Sequence, residues 1–180
     1  MVEKSANTRE VMIRQAAQKD IPVLVDFLAN LALHVAGNPP HTLKEDERKR
    51  LMAELRISLS DSKKLLVVAE TSNARLVGMG YIYVWRNQGI WEQAREVELK
   101  SGIIDDVWVE PDFRKMGVFS AILGELVAFA ESHGIVELIL EYAVSNQEAA
   151  ATWTRMGFQP TGIRAAAFTT VVRNALAKRR

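Results

Sequence analysis

The chain has 180 residues, a formal net charge of +1, 48% hydrophobic and 25% charged residues, and no cysteine. These figures describe an ordinary globular protein and exclude a disulfide framework, a thiolate metal site and a strongly basic surface made for polyanions. The expectation is a single domain over residues 1–180, cytoplasmic, with no nucleic-acid partner, no membrane partner and no metal, since His34, His41 and His133 lack ligand spacing.

In chain order, Val11–Gln15 reads as a short strand, and Asp20 as an N-cap with Pro22 in the first helical turn, opening a helix to about Val35. Gly37-Asn38-Pro39-Pro40 breaks it. Thr42-x-x-Glu45 has the form of a capping box and starts a charged helix to about Leu59, whose apolar stripe is only Leu51, Leu55 and Leu59. Leu65–Glu70 and Arg75–Trp85 read as an antiparallel hairpin. Within the second run Val77, Met79, Tyr81 and Tyr83 alternate with Gly78, Gly80 and Ile82, so one face packs closely or a bulge interrupts it. Arg86–Lys100 is polar, irregular and without assigned purpose; Trp91 stands alone in it.

Ser101–Val109 is the next strand, followed by a turn at Glu110-Pro111-Asp112 and a basic loop, Arg114-Lys115-Met116-Gly117-Val118-Phe119-Ser120. Phe119, Ile122, Leu123, Leu126, Phe129 and Ala130 then recur at helical spacing. Unpaired N–H groups and the positive end of the helix dipole face the loop, and Gly117 allows close backbone approach, which suits an anion. An ordinary strand-to-helix connection fits the same residues. No Gly-x-Gly-x-x-Gly follows the strand, and no Gly-x-x-x-x-Gly-Lys-Ser/Thr occurs in the chain.

His133-Gly134 closes the helix, Val136–Tyr142 is a strand, and Ser145-x-x-Glu148 reads as a second capping box, with Asn146 also able to cap. That helix carries Ala149, Ala150 and Trp153 and ends at Gly157. Residues Gln159–Ile163 and Ala166–Val172 read as terminal strands, apolar enough to pair between two copies in a homodimer or to pack on the chain's own helices. Lys178-Arg179-Arg180 reads as a solvated end.

Three matches in order, Val107-Trp108-Val109 before Glu110-Pro111, the Arg114-x-x-Gly117 loop, and Asn146-x-x-Ala149 reaching Gly157-Phe158, resemble the core of the GNAT superfamily of acyl-CoA-dependent N-acyltransferases. The resemblance covers Ile104–Phe158, about a third of the chain. It implies an α/β (α+β) fold with a mixed, mainly antiparallel central sheet, splayed fourth and fifth strands and about four flanking helices. It implies acetyl-CoA as co-substrate, pantetheine paired with Val107, Trp108 and Val109, pyrophosphate on the amides of Arg114, Lys115, Met116, Gly117, Val118, Phe119 and Ser120, and a contact to Asn146. The acceptor would be a primary amine of a small molecule or a peptide.

Two departures stand out. Phe119 replaces a small residue of the loop pattern, though its N–H remains, and Trp153 replaces the tyrosine that often protonates the departing thiolate. An indole N–H donates a hydrogen bond but supplies no proton at neutral pH. An amine must lose a proton before attack, so a carboxylate base is expected. Asp105 shares strand parity with Val107 and Val109 while Asp106 falls on the other face. Glu141, five residues before Asn146, matches the base of ribosomal-protein N-acetyltransferases in the resemblance, so Asp105 and Glu141 are the candidates. The oxyanion would meet the Val107 N–H. A non-catalytic acyl-CoA-binding module stays open, argued from Trp153; a nucleotide-binding protein is disfavoured by its missing motif.

Overall fold

β-Branched and aromatic runs of the sequence become strands, and residues at helical spacing become the helices that cover them. The computed structural model describes residues 10–36, 43–86, 100–162 and 165–177. Contacts divide the chain into a first unit, Met1–Glu141, and a second, Tyr142–Arg180. Outside the described residues lie the expected break at Gly37–Pro40, His41, Thr42 of the first capping box, most of the Arg86–Lys100 segment with Trp91, Ile163 and the basic end Lys178–Arg180.

In the first unit β1 (Val11–Gln15), β2 (Lys64–Thr71), β3 (Leu76–Arg86), β4 (Lys100–Val109) and β5 (Glu137–Leu140) form one sheet in the order β1-β2-β3-β4-β5. Among the described residues only β4 and β5 pair in parallel, so the sheet is mixed and mainly antiparallel, as expected. Their pairing covers Ser101–Ile104 against Glu137–Leu140 and goes no further. From Asp105 to Val109 the far edge of β4 has no strand beside it among the described residues, which is the expected splay.

Two helices, α1 (Ile21–Ala36) and α2 (Glu45–Ser60), cover one face of the sheet. Ile21, Leu24, Val25 and Phe27 of α1 and Leu55 of α2 pack with Leu66, Val68, Met79 and Trp108 in one buried cluster. Each large side chain buried there contributes about 1.5–3 kcal/mol. α2 begins at Glu45 after Lys44 and buries little else than Leu55 and Ser58, in keeping with its thin stripe. Asp20 serves differently from the expected cap of α1. Its carboxylate accepts from the Ala17 N–H at 2.7 Å and from Arg14 at 2.7 and 3.0 Å, while Arg14 also donates to Glu70 at 2.6 Å. The shared guanidinium holds both carboxyls below the usual range and pins β1 and β2 to the start of α1.

The opposite face is covered by α3 (Val118–Ser132), whose Val118, Ile122, Leu126 and Ala130 are buried. Gly80 sets its distance: a Cβ there would lie 2.4 Å from Ile122 Cγ2 and 3.3 Å from Leu126 Cδ1. Gly80→Ala is therefore expected to destabilise the protein by about 1–3 kcal/mol, the usual cost of overpacking a core. Urea denaturation checks this, and an unchanged midpoint would show that α3 can retreat freely.

The second unit contains α4 (Gln147–Arg155) and α5 (Thr169–Ala177). The cap of α4 is Asn146 rather than Ser145: its side chain accepts from the Ala149 N–H at 3.0 Å. The terminal strands expected at Gln159–Ile163 and Ala166–Val172 are not strands among the described residues, and α5 takes the place of the second. Thr169, Thr170, Val171 and Val172 favour a strand locally. Phe168, Val171, Val172 and Leu176, however, recur at helical spacing among alanines. The homodimer argued from terminal strands loses that premise.

Candidate active site

β4 carries four of the sequence-derived candidates, Asp105, Val107, Trp108 and Val109, and its ladder with β3 contains an irregularity beside them. Gly80 pairs with Val107, but Ile82 pairs with Ile104, so Tyr81 alone stands against both Asp105 and Asp106. An extra residue of this kind is a β-bulge, which bends the strand and interrupts the alternation of faces. The parity argument that separated Asp105 from Asp106 therefore fails at that step. From Asp106 onward the faces are plain: Val107 and Val109, opposite Gly80 and Gly78, share the α3 face, whereas Asp106 and Trp108 share the face of α1 and α2.

Asp105 is exposed and Asp106 partly buried. Burial, and then the neighbouring charge of Asp105, pushes the Asp106 carboxyl up to about 6. Although Asp105 is exposed as a residue, partial desolvation of its carboxyl, and then the Glu141 charge, raise it as well. Tyr83 is raised by burial first and then by Asp105, Tyr81 and Glu141. These couplings bring Asp105, Asp106 and Glu141 together beside two tyrosines whose rings lie 5.8 Å apart. Tyr81 also reaches α2, with its hydroxyl 3.4 Å from Ser58 Oγ. A carboxyl near 6 is mostly ionised at neutral pH yet basic enough to take a proton.

Along the open edge, backbone groups face outward. The Glu110 N–H donates to Val77 O at 2.9 Å, a bonded step of the β3–β4 ladder. Bonded and non-bonded pairs alternate in an antiparallel ladder, so the N–H and C=O of Val107 and Val109 point away from β3, to the side that β5 has left. Arg114 Nε donates to the Val109 carbonyl at 3.1 Å, in keeping with that direction. The same guanidinium lies 5.1 Å over the ring of Trp108, and His34 meets that ring edge-on at 6.0 Å.

Beyond Val109 a single 3-10 turn, Pro111–Phe113, leads to the loop. Lys115 and Gly117 both have positive φ, 62° and 84°. Left-handed residues alternating with ordinary ones turn successive N–H groups to one side, the form of an anion-binding nest. Gly117 also precedes α3, whose first turn has no side-chain cap, and a Cβ on it would meet nothing within 4 Å. Two left-handed residues just before a helix start without a side-chain cap, with open space at Gly117, are a backbone form that fits a pyrophosphate.

Within the second unit the Trp153 ring packs edge-on against Phe158 at 5.2 Å. A separate cavity of about 520 Å³ opens between α1 and the β2–β3 turn, lined by Asp20, Asp26, Glu70 and Glu110 among others. Asp20 and Glu70 are held there by Arg14, and Asp26 by Arg48 at 2.7 Å. None of Asp105, Asp106, Tyr81 or Trp108 lines it, so it is not the centre of the candidate chemistry.

Sequence reasoning named Asp105, Glu141, the edge Val107–Val109 and the loop, and the first unit brings these onto or next to β4. It ranked Asp106 below Asp105 and gave no role to Tyr81, Tyr83 or His34. The Asp-Asp doublet opposite a Gly-x-Gly strand was the available sign of a bulge.

Comparison with known proteins gives a consistent picture. The profile of the acetyltransferase (GNAT) family matches residues 30–158. The [ribosomal protein bS18]-alanine N-acetyltransferase of Salmonella typhimurium is 33% identical over 69 residues, 38% of this chain and 47% of that protein. Its counterpart in Escherichia coli K12 is 32% identical over the same length. The match thus spans about half the length of these curated relatives. Among solved structures, a predicted acetyltransferase with acetyl-CoA from Clostridium acetobutylicum superposes with a TM-score of 0.71 at 19% identity, over 88% of this chain and 96% of that one. An aminoglycoside 6'-N-acetyltransferase from Acinetobacter baumannii gives 0.66 at 15%, over 89% and 97%. These likenesses establish the fold. Among the described residues no helix is long and apolar enough to cross a membrane.

Proposed function

The chain belongs to the acetyltransferase (GNAT) family, and on that premise we propose that it moves an acetyl group from acetyl-CoA to a primary amine by direct attack. The observation that carries the reading is the open edge of β4 running between a pair of raised carboxyls and an uncapped, left-handed loop. Acetyl-CoA, when bound, supplies the activated thioester carbonyl. The outward groups of Val107 and Val109 would pair with its pantetheine amides as an added strand, and the amides from Arg114 to Ser120 would hold its pyrophosphate. Asn146 and Trp153 enter this reading only through the family pattern.

An alkylammonium with a pKa of about 10 must lose a proton before it attacks. Asp105 and Asp106 take that proton as a coupled pair, with desolvation first and then the neighbouring charge of Glu141 raising Asp105. As the C–N bond forms, the Val107 N–H donates to the developing oxyanion. When the C–S bond breaks, the thiolate leaves without help from Trp153 and takes its proton from water. The bS18-alanine N-acetyltransferases support a protein amine as one class of acceptor; a small-molecule amine fits the same chemistry. A cytoplasmic location belongs to this proposal as the place of its donor.

Calorimetric titration with acetyl-CoA, joined to thiol release over a panel of amines and peptides, tests the reading. Binding with acceptor-dependent release is expected. Binding without release on any acceptor would favour the non-catalytic acyl-CoA module, and no binding would overturn both.

A further inference from the structure

Trp108 is 6% exposed, and its Nε1 is a buried side-chain polar atom with no hydrogen-bond partner among the described residues. Buried polar groups are nearly always paired, so an orphan near the end of β4 requires a cause. The ring itself is held: Arg114 stacks 5.1 Å over it, and His34 meets it edge-on at 6.0 Å. Its side chain shares the sheet face with Asp106, two residues earlier, and with Met79 of the α1–α2 cluster. The pantetheine course proposed above follows the outward backbone groups of Val107 and Val109 at the strand edge, whereas the Trp108 ring projects from the face. Nε1 is closed to solvent in the free protein, so the partner it lacks would come from an acceptor that displaces what covers the ring on that face.

Resting on the acetyl-transfer reading, we infer that the Trp108 indole N–H selects the acceptor by donating a hydrogen bond to an oxygen close to the amine, so the substrate class is amines with a neighbouring carbonyl. An indole N–H only donates, so its partner must carry a lone pair, and the attacking nitrogen needs its own lone pair for the thioester. The carbonyl oxygen of an α-amino amide meets that demand. A carboxylate-to-amine hydrogen bond, the reach from that nitrogen to its carbonyl oxygen, and an oxygen-to-indole hydrogen bond together cover about 7–8 Å. Two strand residues advance about 7 Å, the spacing of Asp106 and Trp108 along β4. The acidic pair thus receives the amine while the indole receives the oxygen.

Glycinamide and isobutylamine, alike in shape but only one with a carbonyl, serve as probes. Wild-type protein is expected to favour glycinamide, and Trp108→Phe, which keeps an aromatic ring against Arg114 and His34, is expected to lower the KM preference for glycinamide over isobutylamine about tenfold. Because the two amines differ in basicity, the comparison is the change of their ratio between wild type and variant. In wild-type protein saturated with coenzyme A, the Trp108 indole resonance, assigned through its contacts with Met79, should move downfield with glycinamide and not with isobutylamine. An unchanged ratio, a resonance unmoved by glycinamide, or one moved equally by both amines overturns the inference. The resonance measurement needs no variant, so it decides the matter even where Trp108→Phe misfolds. Failure of both amines to release thiol, by contrast, counts against the acetyl-transfer reading itself.

Discussion

Gly117→Glu leaves the protein folded and weakens acetyl-CoA binding by at least about 100-fold, which corresponds to about 2.7 kcal/mol. Two effects act there, and they can be separated. Gly117 has φ 84°, so any side chain adds backbone strain of about 1–2 kcal/mol, yet a Cβ meets nothing within 4 Å. The second effect is charge. A carboxylate placed about 4 Å from a pyrophosphate, at the effective dielectric of a protein surface, is repelled by about 4 kcal/mol per unit charge. It also competes for the N–H groups at the start of α3. Gly117→Ala carries the strain alone and should lose less than about tenfold in affinity. Calorimetry on both variants, with circular dichroism as the control on folding, makes the measurement. Equal affinities for Gly117→Glu and wild type would remove the pyrophosphate from this loop.

The loop was readable because its signals are local. A glycine before an apolar helix, a basic pair ahead of it and a proline turn after a strand each act over a few residues, and the helix Val118–Ser132 formed where its spacing placed it. The splay of β4 from β5 came from the family pattern, and the register from Ser101 to Ile104 bears it out. Long-range pairing was less readable. The bulge opposite Tyr81 depends on where β3 meets β4, and one extra residue was enough to defeat the parity count that set Asp105 above Asp106. The C-terminal stretch was misread because β-branched Thr169–Val172 outweighed a helical period that begins earlier, at Phe168. The orphaned N–H of Trp108 has no trace in the sequence, since only packing shows what a buried donor lacks.

Replacing Asp106 by asparagine should lower turnover by about 100-fold or more and, at the same time, make the protein more stable at neutral pH. Both outcomes follow from one perturbed carboxyl. Burial and the adjacent Asp105 raise it to about 6, whereas the unfolded chain returns it to the ordinary value of about 3.9. Between those values the folded state binds more protons than the unfolded state, so stability falls as pH rises from about 4 to 6 and stays lowered above. A shift of roughly two units would correspond to about 3 kcal/mol; partial exposure and coupling to Asp105 reduce this to about 1–2 kcal/mol. Asp106→Asn removes the charge and should recover that amount at pH 8 but almost nothing at pH 4, as read from urea denaturation. In the rate profile the acidic limb near pH 6 should disappear with the charge. Asp105→Asn tests the partner: it withdraws the charge that helps raise Asp106, so the limb should move to lower pH. Glu141→Gln should lower the titration of Asp105, because Glu141 is the neighbouring charge that raises it. Wild-type turnover and pH profile in all three amide variants, measured with a verified amine, would take the proton from these carboxylates and leave it to water. A stability gain without a loss of rate in Asp106→Asn would confine that residue to a structural cost and pass the role of base to Asp105 or Glu141.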